Sequence, residues 1–142
     1  MSQGVDFVHR YPQPYKASGS TSPLMHSYDT GLVHVLSLPG SYAPTANTSA
    51  GRASEQYLFA AQDLEAVDRS RTPWVVVMFH TPWYNSNSKH YLEGLKHQWD
   101  MEELLHYHGV DLVFNGHVHA YERSHPVFRF QPNECGIVHI VV

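Results

Sequence analysis

The sequence predicts one α/β domain with a mixed, partly parallel β-sheet. Two runs of apolar residues, 74–79 and 110–114, are typical of strands, and the first is uniformly apolar, as a strand covered on both faces should be. Segments with apolar residues at helical spacing precede and separate these runs, so strands and helices alternate along the chain. This alternation favours parallel pairing, because a helical crossover returns the chain in the same direction.

The first part of the chain predicts one buried strand between two irregular segments. Residues 1–31 are rich in Pro, Gly and Ser and show no apolar period. Residues 32–38 are mostly Leu and Val and end at a Pro-Gly pair, which indicates a buried strand. A second loop is predicted over residues 39–53, and its Asn47-Thr48-Ser49 is an acceptor pattern for N-glycosylation.

Two amphipathic helices flank the strand at 74–79. Ser54 is the expected N-cap of the first helix. Its apolar positions are Tyr57, Leu58, Ala61, Leu64 and Val67. The second helix is predicted over residues 93–108, with Gly109 as its C-terminal stop. Its inward face is predicted to consist of Leu95, Trp99, Met101, Leu104 and Leu105. Strand 110–114 follows, and residues 127–130 and 137–142 are two further predicted strands.

Composition excludes several classes of protein. The 142-residue chain has 9 Lys+Arg against 13 Asp+Glu and no basic run, so nothing indicates nucleic-acid binding. The longest apolar run, residues 74–79, is far too short to cross a bilayer. The first six residues lack the pattern of a signal peptide. A single cysteine, Cys135, excludes an internal disulfide and a zinc site built from cysteines.

Histidines in two polar segments predict a metal site. The 12 histidines outnumber all Lys and Arg residues together. Residues 80–90 follow one predicted strand and residues 115–123 follow the other, so parallel pairing brings both segments to the same edge of the sheet. His80, His117 and His119 would meet there. Imidazole suits Zn, Fe, Mn and Cu, and three histidines with open coordination positions are typical of a catalytic site.

Less specific interpretations apply to other residues. Five histidines are interpreted as surface or hydrogen-bonded residues: His26, His34, His106, His108 and His139. Trp83, Tyr84 and Tyr91 either line a cleft or pack beneath the loop. Glu122 and Arg123 are interpreted as a local ion pair without a catalytic role. A His-x-His pair alone also occurs in amidohydrolase-like and metallo-β-lactamase-like enzymes, so an amidohydrolase stays a minor alternative.

Two motifs carry a resemblance to a known family. Gly116-His-Val-His-Ala-Tyr-Glu-Arg123 resembles the Gly-His-x-His-x-Tyr-Glu-Arg signature of purple acid phosphatases, members of the calcineurin-like metallophosphoesterase superfamily. Val77-Met-Phe-His80 and the polar segment after it resemble the other late motif of these enzymes. The resemblance implies that the whole chain, 1–142, is part of a metallophosphoesterase α/β/β/α sandwich.

The resemblance implies a dinuclear metal centre. The family pairs a ferric ion with Zn, Mn or Fe(II). By resemblance, His80 and His117 would bind the divalent ion and His119 the ferric ion. A metal hydroxide would then attack the phosphorus of a phosphate monoester, while both cations stabilise charge on the oxygens.

Three further residues are implied on the substrate side of the centre. His90 matches a histidine that binds phosphate and protonates the leaving group. Lys89 stands where plant relatives often carry another His, and its point charge can hold a phosphate oxygen. Glu93 matches an acidic residue of the same outer shell.

Earlier motifs of the family, which carry a bridging Asp, a second Asp, a Tyr and an Asn ligand, are not found in these residues. We therefore expect at most one tightly bound divalent ion and weak or no turnover from this chain alone. The alternative is a truncated, non-catalytic protein that binds metal or a partner, such as a second copy, through an exposed sheet. Plant relatives imply a secreted or vacuolar location, where Cys135 would be able to form an inter-chain disulfide.

Overall fold

A computed structural model of the chain describes residues 5–40 and 54–142. Its helices are α1 (Val5–Arg10), α2 (Glu55–Glu65) and α3 (Leu95–Tyr107). Its strands are β1 (His26–Thr30), β2 (Val33–Ser37), β3 (Trp74–Met78), β4 (Leu112–Asn115), β5 (Glu122–Arg123), β6 (Val127–Phe128), β7 (Gln131–Pro132) and β8 (Val138–Val141). The glycosylation pattern at Asn47 lies outside the described residues.

The main sheet has six strands in the order β1-β2-β3-β4-β8-β5. The four central strands, from β2 to β8, run parallel, whereas β1 and β5 pair antiparallel at the two edges. Strands β6 and β7 form a separate antiparallel pair. The predicted mixed, partly parallel sheet is confirmed. The two strands predicted at 74–79 and 110–114 do pair in parallel, although the second begins at Leu112 and ends at Asn115.

Hydrogen bonds extend the pairing of β3 and β4 beyond the strands themselves. Phe79 N–H donates to the Phe114 carbonyl (3.2 Å), and Gly116 N–H donates to the His80 carbonyl (3.0 Å). The buried Asn115 amide also donates to the Phe79 carbonyl (2.9 Å). These bonds fix the register of the two segments that follow the strands, so the residues after β3 lie beside those after β4.

One face of the sheet packs against α2 and α3. Leu64 of α2 and Leu105 of α3 share a continuous buried core with Val75, Val77 and Val113 of the strands. The opposite face is less covered. Half-buried residues on it are Val76, Met78, Leu112, Phe114, Val138 and Ile140. Trp74 is 53% exposed on this face, so the prediction that strand 74–79 is covered on both faces is wrong.

Two elements lie in the segment that was predicted to be irregular. Residues 1–31 contain α1 and β1, and β1 pairs along its whole length with β2. The residues of β1, His-Ser-Tyr-Asp-Thr, are largely polar. An edge strand needs a partner on one side only, and three of its five residues are exposed, so no apolar pattern marks it.

The predicted start of α2 and the predicted C-terminal stop of α3 are confirmed, whereas α2 ends before Val67, α3 begins at Leu95, and not every predicted inward residue is buried. Ser54 caps α2, its hydroxyl accepting from Tyr57 N–H (3.1 Å), and Gly109 follows α3 with a positive φ of 64°. Leu58 is 57% exposed and Trp99 is 75% exposed, so their inward placement is wrong. α3 buries His97 and Gln98 instead, and His97 Nδ1 accepts a hydrogen bond from the buried indole N–H of Trp83 (3.0 Å).

Two polar networks fasten the edges of this core. The Arg69 guanidinium donates to the carbonyls of Pro73, His108 and Gly109 and to the Asp111 carboxylate. It thereby joins the segments after α2 and α3 to the start of the sheet.

In the second network, both ring nitrogens of the buried His34 contact carboxylates. These are Asp29 (2.8 Å) and Asp63 (2.9 Å), and their hydrogen bonds raise the pKa of His34, that of Asp63 most. The interpretation of His34 as a hydrogen-bonded residue is confirmed. Within the described ranges, no helix has the length and hydropathy that a membrane span requires.

Candidate metal centre

The ends of two parallel strands position His80 and His117. His80 follows β3 by two residues, and His117 follows β4 by two residues. His117 adopts a left-handed backbone with φ 66°, which is uncommon for a residue other than glycine. The turn is tight, since Val118 N–H donates to the Gly116 carbonyl at 2.7 Å. Strain of this kind is concentrated at functional sites, where the surrounding structure supports it.

The two imidazoles meet through their ring nitrogens. His80 Nε2 lies 3.1 Å from His117 Nδ1. Two nitrogens bound to one zinc ion at about 2.0–2.1 Å lie roughly 3 Å apart, so this spacing fits ligands of one shared ion. Burial lowers the pKa of His80, and the neighbouring His117 and His119 lower it further. A lowered pKa favours the neutral imidazole, which is the form that binds metal.

Glu93 connects His117 to His90. Its Oε2 accepts from His117 Nε2 (2.8 Å) and from His90 Nδ1 (3.0 Å). These bonds, the one from His90 first, hold the pKa of Glu93 below its usual range. Because an ionised carboxylate only accepts, the proton of neutral His117 sits on Nε2 and its Nδ1 lone pair faces His80. One carboxylate thus orients the imidazole for a metal ion.

The same three residues offer a second arrangement of ligand atoms. One ligand atom each from His90, Glu93 and His117 lie within 4.8 Å of one another. His117 therefore stands between two possible ion positions, Nδ1 facing His80 and Nε2 facing Glu93. Beside His80, a cavity of about 340 Å³ opens at the strand ends, where further groups have room.

A turn built by asparagine side chains presents His90. Asn87 Oδ1 accepts from the backbone N–H of Lys89 (3.0 Å) and of His90 (3.3 Å). Asn85 Oδ1 accepts from Asn87 N–H (3.1 Å). Sequence reasoning missed these asparagines, although an Asn-x-Asn pair in a polar loop is a signal for such turns. Lys89 is exposed beside them.

Aromatic side chains form a buried floor beneath the His80–His90 segment. Trp83 is 2% exposed, and its indole N–H donates to His97 Nδ1 (3.0 Å). This bond explains why α3 turns His97 inward. Burial lowers the pKa of His97 to about 4 and that of His139 to about 3. Trp83 therefore packs beneath the loop, whereas Tyr91 is 60% exposed.

Glu122 bonds to Ser86 and, in the part of the chain that the structure describes, forms no ion pair with its neighbour Arg123. Its Oε2 accepts from the backbone N–H of Ser86 (2.9 Å) and from the Ser86 hydroxyl (3.2 Å). Successive residues of a strand point to opposite faces, which separates the two side chains. Glu122 thus joins the second polar segment to the first.

The structure brings together four of the six predicted site residues. His80, His90, Glu93 and His117 form one connected cluster. His119 is exposed and close enough to His80 to affect its pKa. The donor set, neutral imidazole nitrogens and a carboxylate, suits a borderline divalent ion such as zinc or iron(II).

Comparisons with known proteins identify the family of the chain. The family model described as calcineurin-like phosphoesterase matches residues 2–121. The chain is 48% identical over 138 residues to purple acid phosphatase 18 of Arabidopsis thaliana, covering 97% of this chain and 30% of that relative. It is 44% identical over 136 residues to purple acid phosphatase 15 of the same plant, covering 96% of this chain and 24% of that relative.

A solved structure shares the fold. A purple acid phosphatase isolated from yellow lupin (Lupinus luteus) seeds superposes with a TM-score of 0.75 at 24% identity, covering 87% of this chain and 24% of that chain. The chain therefore spans less than a third of the length of these relatives.

Proposed function

The chain belongs to the calcineurin-like phosphoesterase family, and we propose that it forms part of a metal-dependent acid phosphatase site for phosphate monoesters. Its curated relatives are purple acid phosphatases, which are hydrolases. The observation that carries the proposal is the 3.1 Å approach of His80 Nε2 to His117 Nδ1 at the ends of parallel strands. Glu93 accepts from Nε2 of His117, the ring nitrogen that faces away from His80.

We assign the metal ligands as follows. His80 and His117 hold a divalent ion, Zn, Mn or Fe(II), and His119 holds the ferric ion of a dinuclear centre. The lowered pKa of His80 and the orientation of His117 by Glu93 support the first assignment. When bound, such ions polarise the ester and activate water.

His90 is the proposed general acid. Its Nδ1 is engaged by Glu93, so Nε2 is the atom that would deliver a proton to the leaving oxygen. As water oxygen forms its bond to phosphorus and the ester P–O bond breaks, this proton neutralises the departing alkoxide. Glu93 also holds the imidazole in this orientation through the bond to Nδ1. Lys89 would contact a phosphate oxygen as a point charge.

The remaining ligands of a dinuclear centre would come from elsewhere, because the chain spans less than a third of its relatives. We therefore propose at most one tightly bound ion and weak or no turnover for this chain alone. The half-covered sheet face around Trp74 favours the second candidate function, a non-catalytic protein that binds metal or a partner. We also propose a secreted or vacuolar location, as the similarity to plant phosphatases suggests.

One experiment separates these candidates. The purified chain would be titrated with Zn²⁺ by calorimetry, and p-nitrophenyl phosphate hydrolysis would be measured at acidic pH after reconstitution with iron and zinc. His117→Ala removes the central ligand, and His125→Ala is a matched control at an exposed histidine.

The expected result is one zinc ion, bound by wild type and by His125→Ala but not by His117→Ala, with little turnover. Turnover lost only in His117→Ala would show that this chain alone assembles a working site. Zinc binding with no turnover, even after the addition of a polypeptide that carries the parts of purple acid phosphatase 18 outside the matched region, would favour the non-catalytic candidate. Zinc binding unaffected by His117→Ala would refute the site.

A further inference from the structure

Glu122 makes charge-assisted hydrogen bonds to a loop 36 residues away. Its single oxygen Oε2 accepts both the backbone N–H of Ser86 at 2.9 Å and the Ser86 hydroxyl at 3.2 Å. Hydrogen bonds to an ionised carboxylate are about twice as strong as bonds between neutral groups. The pair therefore holds the loop more firmly than an ordinary contact between two surface side chains.

Ser86 lies inside the turn that presents His90. Bonds to the side chains of Asn85 and Asn87 give this turn its shape, and Asn85 Nδ2 also donates to the His90 carbonyl (3.4 Å). These bonds are internal to residues 85–90. They set the conformation of the turn but not its place relative to the sheet. The contact between Ser86 and Glu122 links one end of the turn to the sheet, and Glu93 links the other end, at His90, to His117.

Glu122 lies on β5, which pairs with β8, and β8 in turn pairs with β4, the strand that precedes His117. In β5 it pairs with Val141 of β8, and Val141 pairs with Asn115 of β4. His117 follows Asn115 by two residues. A short path of paired strands thus connects His117 with Glu122, and the Ser86 bonds continue this path to the His90 turn.

We propose that Glu122 is a positioning residue that sets where His90 stands beside His117. The two imidazoles meet edge to face, with ring centroids 4.6 Å apart. Moving the 85–90 turn would separate them, while His80 and His117 stay in place on the ends of β3 and β4. This assignment rests on the proposed function for the role of His90, but the position of the turn is measurable without it.

The test uses the whole chain and three variants. Glu122→Ala removes both bonds, Glu122→Gln keeps an oxygen that accepts without the charge, and Glu134→Ala is a control at an exposed carboxylate. Amide hydrogen exchange is measured on peptides covering residues 85–90 and on α2. Zn²⁺ affinity and the affinity of the zinc-loaded chain for inorganic phosphate are measured by calorimetry.

We expect exchange at residues 85–90 to be about tenfold faster or more in Glu122→Ala, intermediate in Glu122→Gln and unchanged in Glu134→Ala, with α2 unaffected. Zn²⁺ affinity should stay within about twofold, whereas phosphate affinity should fall about tenfold.

Unchanged exchange at residues 85–90 in Glu122→Ala would overturn the proposal. So would an equal loss of zinc and phosphate affinity, because a general loss of structure would explain it. If wild type binds neither zinc nor phosphate, the proposed function fails, and the exchange rates alone decide the role of Glu122.

Discussion

Replacing Glu93 by glutamine tests whether Glu93 orients the metal ligand His117 or is itself a metal ligand. The carboxylate accepts from His117 Nε2 at 2.8 Å and thereby turns the Nδ1 lone pair toward His80. Glutamine keeps the size of the side chain. Its amide can donate as well as accept, so the preference for one tautomer of His117 is lost.

The size of the effect follows from the exposure of Glu93. Carboxylates that orient a metal-bound histidine change metal affinity by about 10–100-fold. The Glu93 side chain is 36% exposed, so water competes for the same hydrogen bond. We therefore expect the lower end of this range, a roughly tenfold weaker affinity for Zn²⁺.

The assay is a calorimetric Zn²⁺ titration at neutral pH of four chains: wild type, Glu93→Gln, His80→Ala and the control Glu134→Gln. Wild type and the control should bind alike. His80→Ala should lose far more affinity than Glu93→Gln, because it deletes a ligand and not its support. Melting temperatures without metal show whether each variant folds.

Unchanged Zn²⁺ affinity in Glu93→Gln would refute the orienting role of Glu93. If Glu93→Gln abolishes binding and His80→Ala has no effect, the ion sits against His117 Nε2, among His90, Glu93 and His117. Glu93 would then be a ligand, and the assignment of His80 would be wrong.

Four further outcomes are expected for the stability of the chain, each measured by urea unfolding. Arg69→Leu removes the bonds between the helix ends and the sheet and should cost about 1–3 kcal/mol, a modest figure because the side chain is 37% exposed. Gly94→Ala should cost about 1–3 kcal/mol, since the added Cβ would lie 2.5 Å from a backbone carbonyl oxygen. Because the pKa of His34 is raised in the folded chain, its stabilising contribution is complete below pH 6.5 and is lost as pH rises through the pKa of the folded state. Wild type should therefore be more stable than His34→Gln at pH 6 and lose this difference at alkaline pH. Because His97 and His139 have lowered pKa values, the unfolded chain takes up protons at acidic pH that the folded chain does not. The free energy of unfolding should therefore decrease as pH falls from 6.5 toward about 4. Equal stability at pH 7 and pH 5 would contradict this.

The sequence predicted the central sheet because its strands are apolar and alternate with helices. Strand β3 lies where predicted and β4 lies within two residues of its predicted bounds, and their parallel pairing brings His80 and His117 together from 37 residues apart. The polar β1 was missed, since its place depends on pairing with β2 and not on its own residues.

The inward face of α3 was mispredicted for a related reason. Hydrophobicity alone places Trp99 inside, but the buried indole N–H of Trp83 needs an acceptor, and His97 supplies it. The turn at residues 85–90 and its contact with Glu122 were missed as well. Hydrogen bonds between distant segments leave no periodic pattern, so only the fold reveals them.

The extended pairing of β3 and β4 also decides which changes in chain length the site can accept. Register between the strands continues through Phe79 and Gly116, so inserting one residue into either strand would shift a histidine to the other face of the sheet. Residues 85–90 follow no strand register, but the side chains of Asn85 and Asn87 close their turn over fixed spacings. Over evolutionary time, the spacing that joins His80 and His117 to their strands should therefore stay constant, and so should the length of the 85–90 turn that presents His90.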